Sequence, residues 1–182
     1  MSRLFVAILP PATVRAELGA LVSELPGVRW ARKENLHLTL RFVGEVSVET
    51  EEKIGDALSH VRVEPFILPV GNVGVFPSRG RAKVLWAGVG NGHTRLFQLR
   101  KQVDEALLSV VASLDVHHFQ PHFTVGHLEP EYESPQIARF VEKHVDFEAP
   151  PFWVREFYLM ASSKKTGVAP VYRSLRKFDL TH

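Results

Sequence analysis

Two four-residue stretches pair a histidine with a threonine in a spacing that suits acid–base chemistry. His37 and Thr39 lie in the stretch HLTL, and His122 and Thr124 lie in HFTV in the second half of the chain. Residues two apart on a β-strand project from the same face, so each histidine would project together with its threonine. The apolar residues that alternate with them would anchor both strands in a core.

Together the two pairs would supply a proton donor, a proton acceptor and two hydroxyl groups. An imidazole titrates near neutral pH, and a threonine hydroxyl can donate a hydrogen bond to a phosphoryl oxygen. One histidine would take a proton from an attacking oxygen, the other would protonate the leaving oxygen, and the hydroxyls would stabilise the anionic centre. This set suits displacement at phosphorus without a metal ion. A single histidine on a polar strand face is ordinarily solvated, so the chemical interpretation depends on the repetition.

The segments around each motif indicate a duplicated unit. In the first half the patterns predict strands at 4–9, 27–30, 35–44, 65–76 and 82–89, a helix at 12–25, and a helix at 47–61 that Ser47 caps. In the second half they predict a helix from Asn91 to about Leu114, a strand at 121–128, a helix that starts with Ser134 and Pro135, and strands at 152–163 and 171–180. Each half therefore reads helix, motif strand, helix, strand, turn, strand.

This repetition predicts an α+β fold. Two copies of one unit commonly pair about a pseudo-twofold axis. We expect one domain over residues 1–182, built from two intertwined lobes, with antiparallel sheets lining a central cleft and helices outside. His37 and His122 would face each other across that cleft.

The alternation within NLHLTLRFVG predicts which of its side chains are buried. Leu36, Leu38, Leu40 and Phe42 would face the core, and His37, Thr39 and Arg41 would lie on the other face. The three tryptophans are also expected in the core: Trp30, Trp86 and Trp153.

Composition excludes several other kinds of chemistry. The 182 residues include no cysteine, which excludes disulfides, thiolate catalysis and cysteine–zinc sites. The net charge of +2 permits a polyanionic partner without arguing for one. The apolar run from Leu4 to Leu9 is shorter than a membrane span. We expect a monomeric cytoplasmic protein that does not bind membranes and uses no metal or cofactor.

Three other groups of residues have both a functional and a structural interpretation. His117, His118 and His122 could form a metal cluster, but no carboxylate has a suitable spacing, and a loop before a strand explains them better. The stretch GVGNGH at 88–93 lacks the third glycine of a dinucleotide-binding loop. The basic residues of the two turns could flank an RNA backbone or simply be solvated: Arg79, Arg81, Lys83, Lys164 and Lys165.

The motifs and their flanks resemble the 2H phosphoesterases, and among them the branch of RNA 2′,3′-cyclic phosphodiesterases, also called 2′-5′ RNA ligases. Four blocks occur in the order and at the spacing of that family: NLHLTLRFVGEV, RAKVLWAGV, FQPHFTVGHL and FYLMASSKKTGVAPVYRSL. Together they span nearly the whole chain.

The resemblance implies hydrolysis of a terminal 2′,3′-cyclic phosphate, on RNA or on a nucleoside, to a 2′-phosphate, with the 3′ oxygen leaving. It implies that His37 is the proton donor and that His122 is the proton acceptor that activates water. Thr39 and Thr124 would bind the phosphate. Tyr172 matches a family position near the cleft, where it could stack on a base.

One residue departs from the family pattern. Relatives often carry arginine five residues after the histidine of the second motif, and here that residue is His127. A protonated His127 would still contact phosphate, but more weakly and with a dependence on pH. Arg81 in the central turn is a further candidate phosphate ligand.

Two other functions remain open on the sequence alone. The chain could be an ATP-independent 2′-5′ RNA ligase or 2′-5′ phosphodiesterase, or it could be a non-catalytic RNA-binding module that has kept the cleft. The residues themselves also leave open which histidine is the acid, because the two units look alike.

Overall fold

The computed structural model describes residues 2–90, 94–114, 118–130, 135–163 and 170–181. Within these ranges it contains nine β-strands and four α-helices. In chain order they are β1 (Ser2–Ile8), α1 (Ala12–Ala20), β2 (Val28–Trp30), β3 (Leu38–Val46), α2 (Val48–Leu58), β4 (Phe66–Phe76), β5 (Val84–Gly88), α3 (Thr94–Leu108), β6 (His122–Leu128), α4 (Pro135–Lys143), β7 (Glu148–Val154), β8 (Glu156–Ser163) and β9 (Val171–Asp179). A short 3₁₀ turn, Lys33–Asn35, precedes β3.

All nine strands belong to one antiparallel sheet, which confirms the α+β prediction. Eight of them follow the order β7-β4-β5-β6-β3-β1-β8-β9, and β2 pairs with β6 beside this path. The motif strands β3 and β6 are therefore neighbours at the centre of the sheet. The hairpin β4–β5 from the first half lies next to β6, and the hairpin β8–β9 from the second half lies next to β1. Each half of the chain thus completes the sheet around the motif of the other half.

The main hydrophobic core lies between the helices and one face of the sheet. It contains apolar residues from α1, α2, α3 and α4 together with Leu38 and Leu40 of β3 and Phe123 and Val125 of β6. Side chains alternate across a strand, so the histidine and threonine of each motif lie on the opposite face. A small second cluster of Phe5, Ala7 and Met160 also lies there. We call this surface the histidine face.

Local signals explain where the helices begin. Ser47 accepts a hydrogen bond from the backbone N–H of Thr50 at 3.2 Å, which caps α2 as predicted. Pro135 is the first residue of α4, as predicted from its fixed φ and missing N–H. No helix within the described ranges is long and apolar enough to cross a membrane.

An ion-pair network ties β3 to α3 where the alternation of β3 breaks. Arg41 donates to both carboxylate oxygens of Asp104, and Arg100 also donates to Asp104, at 2.8 and 2.9 Å. The guanidinium of buried Arg100 donates as well to the backbone carbonyl of Leu40. The prediction that Arg41 lies on the same face as His37 is therefore wrong, because Arg41 faces α3 on the core side.

Several predicted boundaries also differ from the structure. Helix α1 ends at Ala20 instead of residue 25, and beyond its end the carbonyl of Ser23 accepts a hydrogen bond from the indole of Trp30. Val22 is consequently exposed.

The predicted strand at 152–163 is two strands. They separate at Arg155, because β7 pairs with β4 near one edge of the sheet, whereas β8 pairs with β1 and β9 near the other. Only one residue joins them, so the sheet curves strongly enough for these edges to meet.

Trp153 is 52% exposed on β7, and its predicted place in the core is wrong, because β7 is an edge strand. Trp30 is half-buried against the core.

Helix α3 ends at Leu108, earlier than the predicted Leu114. Predictions at Asn91, residue 93, His117, Ser134, Lys164 and Lys165 lie outside the described residues.

Replacing Asp104 by alanine should lower the free energy of unfolding by about 3 kcal/mol, because it leaves two largely buried guanidinium groups without their shared carboxylate. Urea unfolding measures this change. Asp56→Ala is the matched control, since Asp56 pairs with Arg176 at 3.0 Å on the exposed surface, and its loss should cost less than about 1 kcal/mol. Equal losses of stability in the two variants would contradict a structural role for the network.

Candidate active site

The pairing of the two motif strands brings the four motif residues together. Leu38 pairs directly with Phe123 in the antiparallel ladder, and both side chains are fully buried. One step to either side of this pair, the register places His37 beside Thr124 and His122 beside Thr39. Side chains at opposed positions of an antiparallel pair lie on the same face. The two His-x-Thr pairs therefore form one group at the centre of the histidine face.

Each imidazole is held by a hydrogen bond to the backbone carbonyl two residues before it. His37 Nδ1 lies 2.6 Å from the carbonyl oxygen of Asn35, and His122 Nδ1 lies 2.6 Å from that of Gln120. A carbonyl oxygen can only accept, so in each ring Nδ1 carries the proton and donates. This fixes the tautomer and leaves Nε2 of each ring to take or give a proton.

Aromatic side chains hold the ring of His37 from two sides. Its centroid lies 4.9 Å from that of Phe5 and 5.0 Å from that of Tyr172, which meets it edge-on. The side-chain amide of Asn35 donates to the carbonyl of Pro170 at 3.0 Å, which ties the start of β9 to the first motif. Tyr172 is therefore positioned against His37, and it stays a predicted ligand contact.

A separate aromatic pair supports His122. The ring of Phe76 lies 4.9 Å from that of His122 and stacks on Trp86 at 5.1 Å. Trp86 pairs across the ladder with Thr124 and with Gly74. A Cβ at Gly74 would overlap the indole, so glycine is needed there for the ring to lie against the sheet. Trp86 thus lies on the histidine face, and its predicted place in the core is wrong.

Burial lowers the pKa of both histidines below the ordinary value of 6.5. For His37 the proximity of His122 lowers the pKa further, while the hydrogen bond to Asn35 opposes the shift. For His122 the hydrogen bond to Gln120 opposes the effect of burial. Both rings are therefore mainly neutral at pH 7, and an anion between them would favour protonation of one ring.

Matching bulges break the two motif strands three residues after each histidine. Along β3 the ladder with β1 passes from Thr39 to Arg41 and leaves Leu40 as the extra residue. Along β6 the ladder with β5 passes from Thr124 to Gly126 and leaves Val125 as the extra residue. Each bulge shifts the alternation by one position.

The bulges return the fifth residue after each histidine to the histidine face. In β3 this residue is Phe42, opposite Phe5, and in β6 it is His127, opposite Val84. Phe42 is 61% exposed, so its predicted burial in the core is wrong. The regular alternation assumed from the sequence does not hold beyond Leu40.

His127 lies beside a cation that the sequence analysis missed. Strand β2 pairs with β6 so that Arg29 stands directly opposite His127. Burial, and then the charge of Arg29, lower the pKa of His127. His127 is therefore neutral at pH 7, and Arg29 carries the positive charge at this end of the site. The sequence does not show that the strand GVRW pairs with the second motif strand, because alternation within a strand does not identify its distant partner. Arg29 was therefore missed.

Arg81 lies away from this arrangement. It lines a groove of about 780 Å³ between the turn after β4 and α4, together with Leu128, Ile137 and Val141. Its role in phosphate binding stays a prediction.

Within the described ranges, no group of three or more histidine, aspartate or glutamate side chains is arranged to hold a metal ion.

Comparison with known proteins agrees with this architecture. A family model described as LigT-like phosphoesterase matches residues 8–86 and 89–169, and each of these segments contains one His-x-Thr motif. The RNA 2′,3′-cyclic phosphodiesterase of Archaeoglobus fulgidus is 34% identical to this chain, over 97% of this chain and 99% of its own length.

Crystal structures give the same result for the fold. Escherichia coli LigT in its apo form superposes with a TM-score of 0.80 at 28% identity, covering 100% of this chain and 98% of that one. Its complex with 3′-AMP superposes with a TM-score of 0.79 at 26% identity, covering 100% and 99%. With matching sequence, fold and paired motifs, the chain belongs to the LigT-like phosphoesterase family.

Proposed function

We propose that this protein is an RNA 2′,3′-cyclic phosphodiesterase, which opens a terminal 2′,3′-cyclic phosphate to a 2′-phosphomonoester. The observation that carries the proposal is the pair of imidazoles, each anchored through Nδ1 at 2.6 Å, on adjacent strands of one face. The name of the Archaeoglobus fulgidus relative and the 3′-AMP complex of Escherichia coli LigT support the substrate class.

In the proposed mechanism His122 accepts a proton at Nε2 from water as the water oxygen bonds to phosphorus. The bond between phosphorus and the 3′ oxygen breaks, and Nε2–H of His37 donates its proton to that oxygen. Thr39 and Thr124 donate hydrogen bonds to the non-bridging oxygens, whose negative charge grows in the transition state. The products are a 2′-phosphate and a free 3′-hydroxyl, and proton exchange with solvent restores both rings. The choice of His37 as donor follows the family resemblance.

Arg29 completes the proposed site as a cation for the RNA backbone. It is exposed and forms no ion pair with any residue in the described part of the chain. At neutral pH the phosphate contact expected of His127 would therefore be made by Arg29. A monomeric state, a single domain of two lobes and a cytoplasmic location remain predictions.

His37→Ala and His122→Ala should each lower kcat/KM for adenosine 2′,3′-cyclic phosphate by roughly 10²–10⁴-fold, the usual contribution of a positioned acid or base. His144→Ala is a matched control, because the His144 ring also donates to a backbone carbonyl, that of Phe140 at 2.8 Å, but lies just after α4. Turnover is followed by chromatography of the 2′-phosphate. Full activity in either active-site variant would reject the proposal.

The same assay separates the other candidate functions. A 2′-5′ phosphodiesterase would cleave 2′-5′ linked oligomers in preference to the cyclic nucleotide. A non-catalytic module would bind oligonucleotides with no turnover in the parent chain, and binding would survive the loss of either histidine.

The pH dependence of kcat/KM should be bell-shaped, because the reaction needs one protonated and one neutral imidazole. A lowered pKa means that the proton is lost at lower pH, so the alkaline limb should lie below 6.5, the ordinary value for histidine. In NMR titrations, His122→Ala should raise the pKa of His37, whereas His144→Ala should leave it unchanged. An alkaline limb well above 6.5 would show that burial does not control these groups.

Arg29→Ala should weaken the binding of a short single-stranded RNA that ends in a 2′-phosphate. It should reduce the slope of log K against log salt by roughly 0.7, the value for one phosphate contact on a single strand. Above pH 7, His127→Ala should change this slope little, and Lys101→Ala on exposed α3 serves as the cation control. A loss with His127→Ala that equals the loss with Arg29→Ala would contradict the assignment.

A further inference from the structure

Asn35 contacts the first motif through its backbone and a distant strand through its side chain. Its carbonyl oxygen accepts the Nδ1 proton of His37 at 2.6 Å. Its side-chain amide donates to the carbonyl of Pro170 at 3.0 Å, across 135 positions of the chain. One residue thus connects the imidazole of His37 with the start of β9.

Strand β9 carries the ring that closes one side of His37. Tyr172 follows Pro170 by two residues and meets the imidazole edge-on, with the two ring centroids 5.0 Å apart. Phe5 of β1 contacts both of these rings, at 4.9 Å from His37 and 5.2 Å from Tyr172. The three rings are therefore in mutual contact, and the position of the Tyr172 ring depends on where β9 begins.

The start of β9 has few other constraints. Strand β9 lies at the edge of the sheet, so it is hydrogen-bonded to β8 on one side only. The ladder between them ends where Val171 pairs with Ser163. Pro170 has no N–H with which to extend that ladder, but its carbonyl still needs a donor. The Asn35 amide is that donor, and it holds the end of β9 against the first motif.

The second motif lacks an equivalent connection. Gln120 occupies the matching position, and its carbonyl makes the matching hydrogen bond to His122 at 2.6 Å. The side chain of Gln120 is exposed and forms no hydrogen bond to another residue in the described part of the chain. The ring that meets His122 edge-on is Phe76, which pairs with Val84 in the ladder and stacks on Trp86. The flanking ring of His122 is therefore held without Gln120.

We propose that Asn35 is a positioning residue for His37, and that its side chain acts by fixing the start of β9 and the Tyr172 ring that limits rotation of the imidazole. The inference rests on the proposed function, because the step that it supports is the donation of the Nε2 proton of His37 to the leaving 3′ oxygen. Misplacement of a reacting group by about 1 Å can cost about 10²-fold in rate. Asn35 would act through His37 and need not touch the nucleotide.

Asn35→Ala keeps the backbone carbonyl and removes only the hydrogen bond to Pro170. It should lower kcat for adenosine 2′,3′-cyclic phosphate by roughly 10–100-fold, because the proton donor is less well placed, and it should change KM little. Asn35→Asp keeps the shape of the side chain but has no N–H at neutral pH, so it should lower kcat as well. A change confined to KM would overturn the inference, because the hydrogen bond would then serve a ligand contact and not His37.

NMR of the ligand-free protein gives a second measurement, which does not require turnover. The ring protons of His37 lie against Phe5 and Tyr172, so their chemical shifts contain ring-current effects of both rings. Above pH 7, Asn35→Ala should move the His37 resonances and leave those of His122 in place. Gln120→Ala, at the matching position, should move neither. Unmoved His37 resonances in Asn35→Ala would contradict the proposal, as would a shift of His122 in Gln120→Ala of the same size.

Gln102→Ala is the matched control for a general loss of stability. The Gln102 amide also donates to a distant backbone carbonyl, that of Arg62 at 2.7 Å, but it lies on α3, across the sheet from the histidines. This variant should keep the kcat of the wild-type chain, and urea unfolding compares its stability with that of Asn35→Ala. Equal losses of kcat in the two variants would refute a specific role for Asn35. Turnover by the wild-type chain tests the proposed function separately, and the His37 resonances test the inference even without turnover, so the two failures are distinguishable.

Discussion

The arrangement of the site depends on the pairing of Leu38 with Phe123 in the middle of the sheet. Both side chains are fully buried in the main core. A slip of one residue in either strand would turn its leucine or phenylalanine to the histidine face and its histidine and threonine into the core. Burying an imidazole and a hydroxyl there without partners costs free energy, as does exposing the apolar side chains. The register that brings the histidines together is therefore enforced by hydrophobic burial, without any contact between the histidines.

Once the register is set, short local contacts orient the imidazoles. Each ring donates to the carbonyl two residues before it, at the same distance of 2.6 Å. Because the acceptor belongs to the same segment, the tautomer is fixed as soon as the strand forms. Phe5 and Tyr172 on one side, and Phe76 on the other, then limit rotation of the rings. Their burial also lowers both pKa values, so orientation and proton affinity have the same structural origin.

The sequence was sufficient to predict the motif pair and most of the elements, although not all of their ends, because helical and strand periodicity are local signals. It was insufficient at the bulges, since an extra residue in a strand leaves the pattern of apolar residues looking regular. Arg41 and Phe42 were assigned to the wrong faces for this reason. The split at Arg155 and the pairing of Arg29 with His127 depend on strand partners far away in the chain. One usable signal was present, because Arg100 and Asp104 are one helical turn apart among the buried residues of α3, and this spacing predicts an ion pair on the inner side of that helix.

The difference between the two halves begins at the residue after each bulge. In β3 it is Arg41, whose charge is taken up by Asp104 on the core side. In β6 it is Gly126, and a Cβ there would come within 2.8 Å of Val28 Cγ1. Glycine therefore makes room for β2 to pack against β6, and β2 places Arg29 on the histidine face. The two equivalent bulges are therefore followed by different packing. In one half the charge of Arg41 faces the helices, and in the other half Arg29 of β2 lies on the histidine face beside the proposed ligand.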